Sequence, residues 1–348
     1  MRRLVVGLLM GIAPAWAPRP AAAEPELSAE RRQQLAKASE DLALQPAFTQ
    51  GWFAAAEKVL RFGEAGRKEL LPLVDRKLPA LERKYYGSFV LAARKLASGR
   101  LAEAARKLGR RELDNQVRKL RAEVLDLRSK GDLAKEDLLK AADPAIAKLT
   151  DLLLVGPEEV LKADEKLREQ RPALLAARKL RDRCAPPDGP DAEAALAAMD
   201  ELCALLAAPA DAYARRTMEL NARDEQHLAG EEAAGIRDLN RTRLLLGIAP
   251  LRIDVRLCQA ARDHARDMET KGFFSHESPV PGKKSFGDRA RRFGTRASGE
   301  NIAAGAKTGR AANRMWFHSP GHFKNLLGNH RRVGLGQAGT KWTQMFGG

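Results

Sequence analysis

The chain has 348 residues, room for roughly two or three domains of about 100–200 residues, and its 44% hydrophobic and 30% charged content fits a soluble globular protein. Three cysteines are too few for a disulfide framework. No apolar run reaches the roughly 20 residues of a membrane-spanning helix, so a spanning protein is excluded on length alone. The formal net charge is +16, but it is unevenly placed: from Glu231 onward there are 21 Lys and Arg against 10 Asp and Glu, while Glu24 to Gly230 holds 37 against 35.

The first residues read as an export signal. Arg2 and Arg3 precede the short apolar stretch Leu4 to Ile12, which Pro14 ends, and Ala21-Ala22-Ala23 supplies small residues for cleavage. Residues 1–23 are expected to be removed after Ala23, leaving a soluble protein exported to the periplasm or outside the cell. No cysteine near that point could accept a lipid.

Residues 24–230 read as a mainly α region, a helical bundle, a set of hairpins or coiled-coil stretches. Val117, Leu120, Val124 and Leu127 recur at helical spacing, as do Leu70, Leu71, Val74, Leu78 and Leu81. Breaks are expected at Gly63, Pro79, Gly87, Gly109, Gly131, Pro144, Gly156-Pro157 and the run Ala185 to Pro190. Tyr85-Tyr86 and Trp52-Phe53 read as packing pairs. Cys184 borders the Pro-rich break, while Cys203 lies about 18 Å along the next helix at 1.5 Å per residue. A simple hairpin would keep the two thiols apart. Nothing in this region announces chemistry; spacer, oligomerisation element and docking surface all remain open.

Beyond Gly230 the texture changes, with glycine, histidine and aromatic residues clustering. Residues 231–348 read as an α+β domain. Ile236 to Leu246 is amphipathic, and Asp254 caps a second helix whose inner face holds Leu257, Cys258, Ala261, His264 or Ala265, and Met268. Ser285 with Asp288 makes a capping box for a third, Thr308 opens a fourth that ends near Trp316, and Ser319-Pro320 opens a fifth. Strands are expected at Ile302–Ala304, Val333–Gln337 and Trp342–Phe346, forming a small antiparallel sheet covered by helices.

The order of motifs in this stretch is specific. It holds Asn240-x-x-Arg243-x-x-x-Gly247 with Pro250-Leu251, then Ala261, His264, Ala265 and Met268, then Phe274-x-His276-x-Ser278-Pro279, then Arg289 and Gly294. Gly299-Glu300-Asn301-Ile302-Ala303, Trp316, Ser319-Pro320-Gly321-His322-x-x-Asn325-x-Leu327, Val333-Gly334-Leu335-Gly336 and Trp342-Thr343-Gln344-x-Phe346-Gly347 follow. This series resembles the CAP superfamily (SCP-like: cysteine-rich secretory protein, antigen 5, pathogenesis-related 1) in its compact bacterial form. The resemblance implies a three-layer α-β-α sandwich and covers a third of the chain, leaving residues 24–230 outside it. It also implies a secreted binding or signalling module, with lipid or sterol binding in some relatives and protease activity proposed for a few.

His276, Glu300 and His322 come from three separated segments, and two imidazoles with one carboxylate are the ligand set of an open zinc site. They are the expected metal ligands, for zinc or another divalent ion, and with Ser319 and Asn301 they form the expected cleft. Animal and plant CAP domains carry a second Glu where Ser319 stands. Its loss disfavours calcium, which takes six to eight oxygens, and suits zinc or copper better. Gly299 is expected to permit a turn presenting Glu300, Asn301 to tie the loops together, and Trp316 to pack in the core. His318 is expected at the periphery and His330 in solvent.

The chain has no Gly-x-Ser-x-Gly elbow, no His-Glu-x-x-His pair and no phosphate-binding glycine loop. The leading expectation is therefore a non-enzymatic exported protein binding a small ligand, a lipid or an envelope component in the His/Glu cleft. A metal-dependent hydrolase and an adhesin gripping an anionic polymer are the alternatives. The basic balance of residues 231–348 favours anionic partners such as lipid or envelope polymer; nucleic acid is not expected. Solubility accounts for that charge equally well.

Overall fold

The computed structural model describes residues 27–185, 191–207 and 211–348; the expected export signal and most of the Pro-rich break lie outside the described residues. The chain divides into two compact units at Leu70/Leu71. In the first, α1 (Ala29–Ala43) starts at Ser28, whose hydroxyl accepts from Arg31 N, and α2 (Gln50–Leu60) starts at Thr49, which accepts from Trp52 N. Phe48, Trp52 and Phe53 pack ring to ring, as the sequence suggested for the last two.

The long helix α3 (Glu64–Leu108) begins in this unit. The second unit continues with α4 (Arg110–Ser129), α5 (Lys135–Leu153), α6 (Pro157–Ala163), α7 (Glu165–Cys184), α8 (Ala192–Ala207) and α9 (Ala212–Asp224). The expected breaks at Gly63, Gly109, Gly131 and Gly156 are present. Those at Pro79, Gly87 and Pro144 are not: all three lie inside α3 or α5. An interior proline removes one backbone hydrogen bond and costs about 3 kcal/mol. Burial of Leu138, Ala142, Ala145 and Leu149 around Pro144 offsets it, since a fully buried Leu contributes about 1.5–3 kcal/mol.

The C-terminal part holds α10 (Gly230–Leu245), β1 (Arg252–Ile253), α11 (Val255–Lys271), α12 (Phe286–Arg292), β2 (Gly299–Ala304), α13 (Gly309–Phe317), α14 (Pro320–Leu326), β3 (Arg332–Ala338) and β4 (Lys341–Gly347). Local signals fix the helix starts. Asp254 accepts from Arg256 N and Leu257 N, Ser285 and Asp288 close a capping box, and Thr308 accepts from Ala311 N. The sheet order is β1-β3-β4-β2. It is mixed rather than wholly antiparallel, because the two-residue β1 runs parallel to β3.

Side-chain alternation divides the sheet between two helical layers. Val333 and Leu335 of β3, with Trp342 and Phe346 of β4, join one core with Ile236, Leu239, Trp316 and Phe323 of α10, α13 and α14. Met345, on the other face, packs with Leu257, Ala260, Ala261 and Ala290 of α11 and α12. This is the three-layer α-β-α arrangement. The first core does not stop at α10: Val124, Leu127, Leu138, Ala142 and Leu149 of α4 and α5 belong to the same apolar cluster.

Candidate functional site

Strand β2 lies at the sheet edge, and Glu300 and Asn301 point to opposite faces of it. Glu300 stands opposite Met345, on the α11–α12 side. There its Oε2 accepts from Arg289 Nη2 at 2.6 Å, and its Oε1 lies 2.9 Å from His276 Nδ1. Asn301 stands opposite Gln344, on the α13–α14 side. Its Nδ2 donates to Gln344 Oε1 at 3.2 Å and to His322 O at 3.4 Å, and its Oδ1 accepts from Asn325 Nδ2 at 2.9 Å. Gly299 is therefore part of an extended strand, not a turn.

His276 and His322 approach this edge from the two helical layers, and their ring centres are 6.4 Å apart. The loop bearing His276 is strapped down on its own side. Arg289, with no exposed surface, donates to the carbonyls of Lys283, Lys284 and His276 at 2.9, 3.1 and 3.1 Å. The Lys283 ammonium reaches Asp263 and Asp267 of α11, and buried His264 Nε2 lies 3.1 Å from Ser275 O. His322 sits in the first turns of α14, with its Nδ1 2.9 Å from Ser319 Oγ.

The model of the cysteine-rich secretory protein (CAP) family matches residues 236–346. Those residues are a CAP domain. Two Bacillus subtilis (strain 168) proteins are similar to it. Uncharacterized protein YkwD is 39% identical over 112 residues, and uncharacterized membrane protein YlbC is 34% identical over 110. Each alignment takes in 31% of this chain, with 43% of YkwD and 31% of YlbC. A crystal structure of an extracellular protein containing an SCP domain from Bacillus anthracis str. Ames is 33% identical, with a TM-score of 0.32, over 34% of this chain and 40% of that one. The chain thus spans less than half the length of these relatives.

All five expected cleft residues of the CAP domain meet at the β2 edge, but not as one ligand shell. Both oxygens of Glu300 are engaged, one by His276 and one by the buried Arg289 guanidinium. A carboxylate paired in this way orients His276: it holds the ring proton on Nδ1 and leaves Nε2 open in the neutral ring. Two imidazoles remain, fewer than the three protein ligands of an open zinc site. Among the described residues no group of three or more His, Cys, Asp or Glu is placed to hold a metal ion. The donor set as arranged does not fit the three-ligand centre. Nor do the residues form a Ser-His-Glu series, because Ser319 touches His322 while Glu300 touches His276.

Two further histidines depart from expectation. His318 is buried, not peripheral, and its Nε2 lies 2.8 Å from Asp143 Oδ1 of α5. His330 is half-buried and stacks on Phe346 with ring centres 4.7 Å apart. Arg289, Asn325 and Gln344 appear in the sequence motifs, but nothing local in them reveals that they hold Glu300 and Asn301.

Burial, and secondly the proximity of His276, hold His322 below the usual histidine value of 6.5. The ring is thus expected to be neutral at pH 7 and to take its proton only on further acidification. A ring-proton NMR titration of the folded protein should give a midpoint under 6.5. In His276→Ala it should rise only part of the way back, since burial is the larger cause. A full return would mean that the His276 charge dominates.

Proposed function

We propose that the protein is an exported, non-enzymatic binding protein whose CAP domain takes an anionic lipid or envelope component in the cleft between His276 and His322. The observation that carries this reading is the pair of neighbouring imidazoles, ring centres 6.4 Å apart, one of them bonded to a carboxylate already neutralised by Arg289. Such an arrangement presents hydrogen-bonding edges without a free negative charge that would repel an anion. An exposed aromatic side chain on the His276 loop supports the same ligand class. Phe274 is half exposed two residues before His276, and Lys341 Nζ lies 5.7 Å from its ring centre. An aromatic side chain beside a cation suits the polar boundary of a lipid. Export rests on the N-terminal sequence alone; among the described residues no helix is long and apolar enough to cross a membrane.

Cosedimentation with phosphatidylglycerol-containing vesicles tests this reading. The full chain should pellet with them at physiological ionic strength, and His276→Ala/His322→Ala should bind about tenfold more weakly, a loss of about 1.4 kcal/mol. Equal binding by both proteins, released alike by salt, would assign the interaction to the basic surface. Turnover of any substrate that Glu300→Gln abolishes with the fold intact would overturn the non-enzymatic part.

A further inference from the structure

We propose that the α4–α5 helix pair, which lies outside the CAP domain, positions His322 by gripping helix α14 at both ends. This inference rests on the cleft reading above and deepens it: one wall of the cleft is set by the CAP domain itself, the other is shared with the helical region.

Helix α14 has seven residues, far fewer than a helix needs to be stable alone in water. Its orientation must come from what holds it. On its N-terminal side, His318 Nε2 pairs with Asp143 Oδ1 of α5 at 2.8 Å, and the same carboxylate accepts from Arg314 at 3.0 Å. On its C-terminal side, Leu327 O accepts from Arg128 Nη1 of α4 at 2.7 Å. A terminal carbonyl without an intrahelical partner is thereby satisfied from outside the domain. Beneath the segment, Phe323, Leu326 and Leu327 share one apolar cluster with Val124, Leu127, Leu138 and Leu149. The CAP domain holds the same helix from its own side: buried Arg243 donates to Leu326 O and Gly328 O at 2.8 and 3.0 Å, Asn301 Nδ2 donates to His322 O at 3.4 Å, and Asn325 Nδ2 donates to Glu300 O and Asn301 Oδ1 at 3.2 and 2.9 Å.

The His276 wall makes a contrast. Every tie found there comes from the CAP domain: α11 gives His264, Asp263 and Asp267, and α12 gives Arg289. A cavity of about 280 Å³ lies beside the Asp143–His318 pair, bordered by Ile146, Leu239, Phe317 and Leu326. The spacing of the two imidazoles then depends on residues more than 170 positions upstream in the chain.

The test uses the full chain with labelled histidine side chains, comparing wild type with Asp143→Ala/Arg128→Met by imidazole NMR. The His322 ring signals should move or broaden in the variant, while those of His264, held in the opposite layer, stay in place. Binding to phosphatidylglycerol vesicles should fall about fivefold or more, the usual floor for coupling between sites. Leu174→Ala, which opens a cavity in α7 away from α14, serves as a stability control and should leave the His322 signals unchanged. Unchanged His322 signals in the folded double variant would overturn the proposal. If that variant fails to fold, Arg128→Met alone gives the same decision. Shifted His322 signals in a protein that never binds vesicles would sustain the positioning role and reject the lipid ligand.

Discussion

Arg289→Met is expected to lower stability by about 3–5 kcal/mol, the usual cost of stranding one member of a buried ion pair. The Glu300 side chain is 1% exposed and the Arg289 side chain 0%. Removing the guanidinium leaves a carboxylate in the interior with only the His276 imidazole beside it. It also frees the carbonyls of His276, Lys283 and Lys284, so the loop between α11 and α12 keeps only its ties to α11. Thermal unfolding is the readout, with a drop on the order of 10 °C for a unit of this size. Arg289→Met/Glu300→Met should recover part of the loss, because the uncompensated charge is gone. A single-variant change under about 1 kcal/mol would mean that the pair is hydrated.

Gly336→Ala is expected to cost about 3 kcal/mol or more, at the upper end for overpacking. A Cβ there would lie 2.0 Å from Arg262 N and 2.4 Å from Arg262 Cα, both backbone atoms of α11. At Gly334, two residues along the same face, a Cβ would meet Leu257 C at 2.3 Å and Cys258 N at 2.4 Å. Helix α11 therefore rests directly on the backbone of β3, and no side-chain rotation can relieve the clash. Gly87→Ala is the matching control. Nothing lies within 4 Å of its added methyl inside α3, and the change should stabilise by about 0.4–1 kcal/mol. Comparable melting temperatures for the two variants would show that α11 and β3 do not approach so closely.

Local chemistry was readable in the sequence; long-range pairing was not. Asp254, Ser285 with Asp288, and Thr308 announce helix starts because a cap bonds within three residues of itself. Strands β2, β3 and β4 were legible as short extended segments within the ordered motifs, whereas β1, with two residues, is too short to show any period. His276, Glu300 and His322 were identifiable by chemical type, and they do meet at the β2 edge. What the carboxylate does there depends on Arg289, which reaches it only through the packing of α12 against the sheet. His318 looked peripheral for the same reason: its partner, Asp143, is 175 residues upstream in a region with no motif of its own. Pro79 and Pro144 looked like helix ends because local propensity disfavours them, and burial on the helix faces outweighed it.

A crystal structure of the full chain grown with excess zinc tests most directly whether Glu300 belongs to an Arg-Glu-His arrangement or to a metal centre. Glu300 is expected to keep Arg289 on one oxygen and His276 on the other, with no ion bound to the carboxylate. A zinc ion ligated together by His276, Glu300 and His322, with Arg289 displaced, would contradict it.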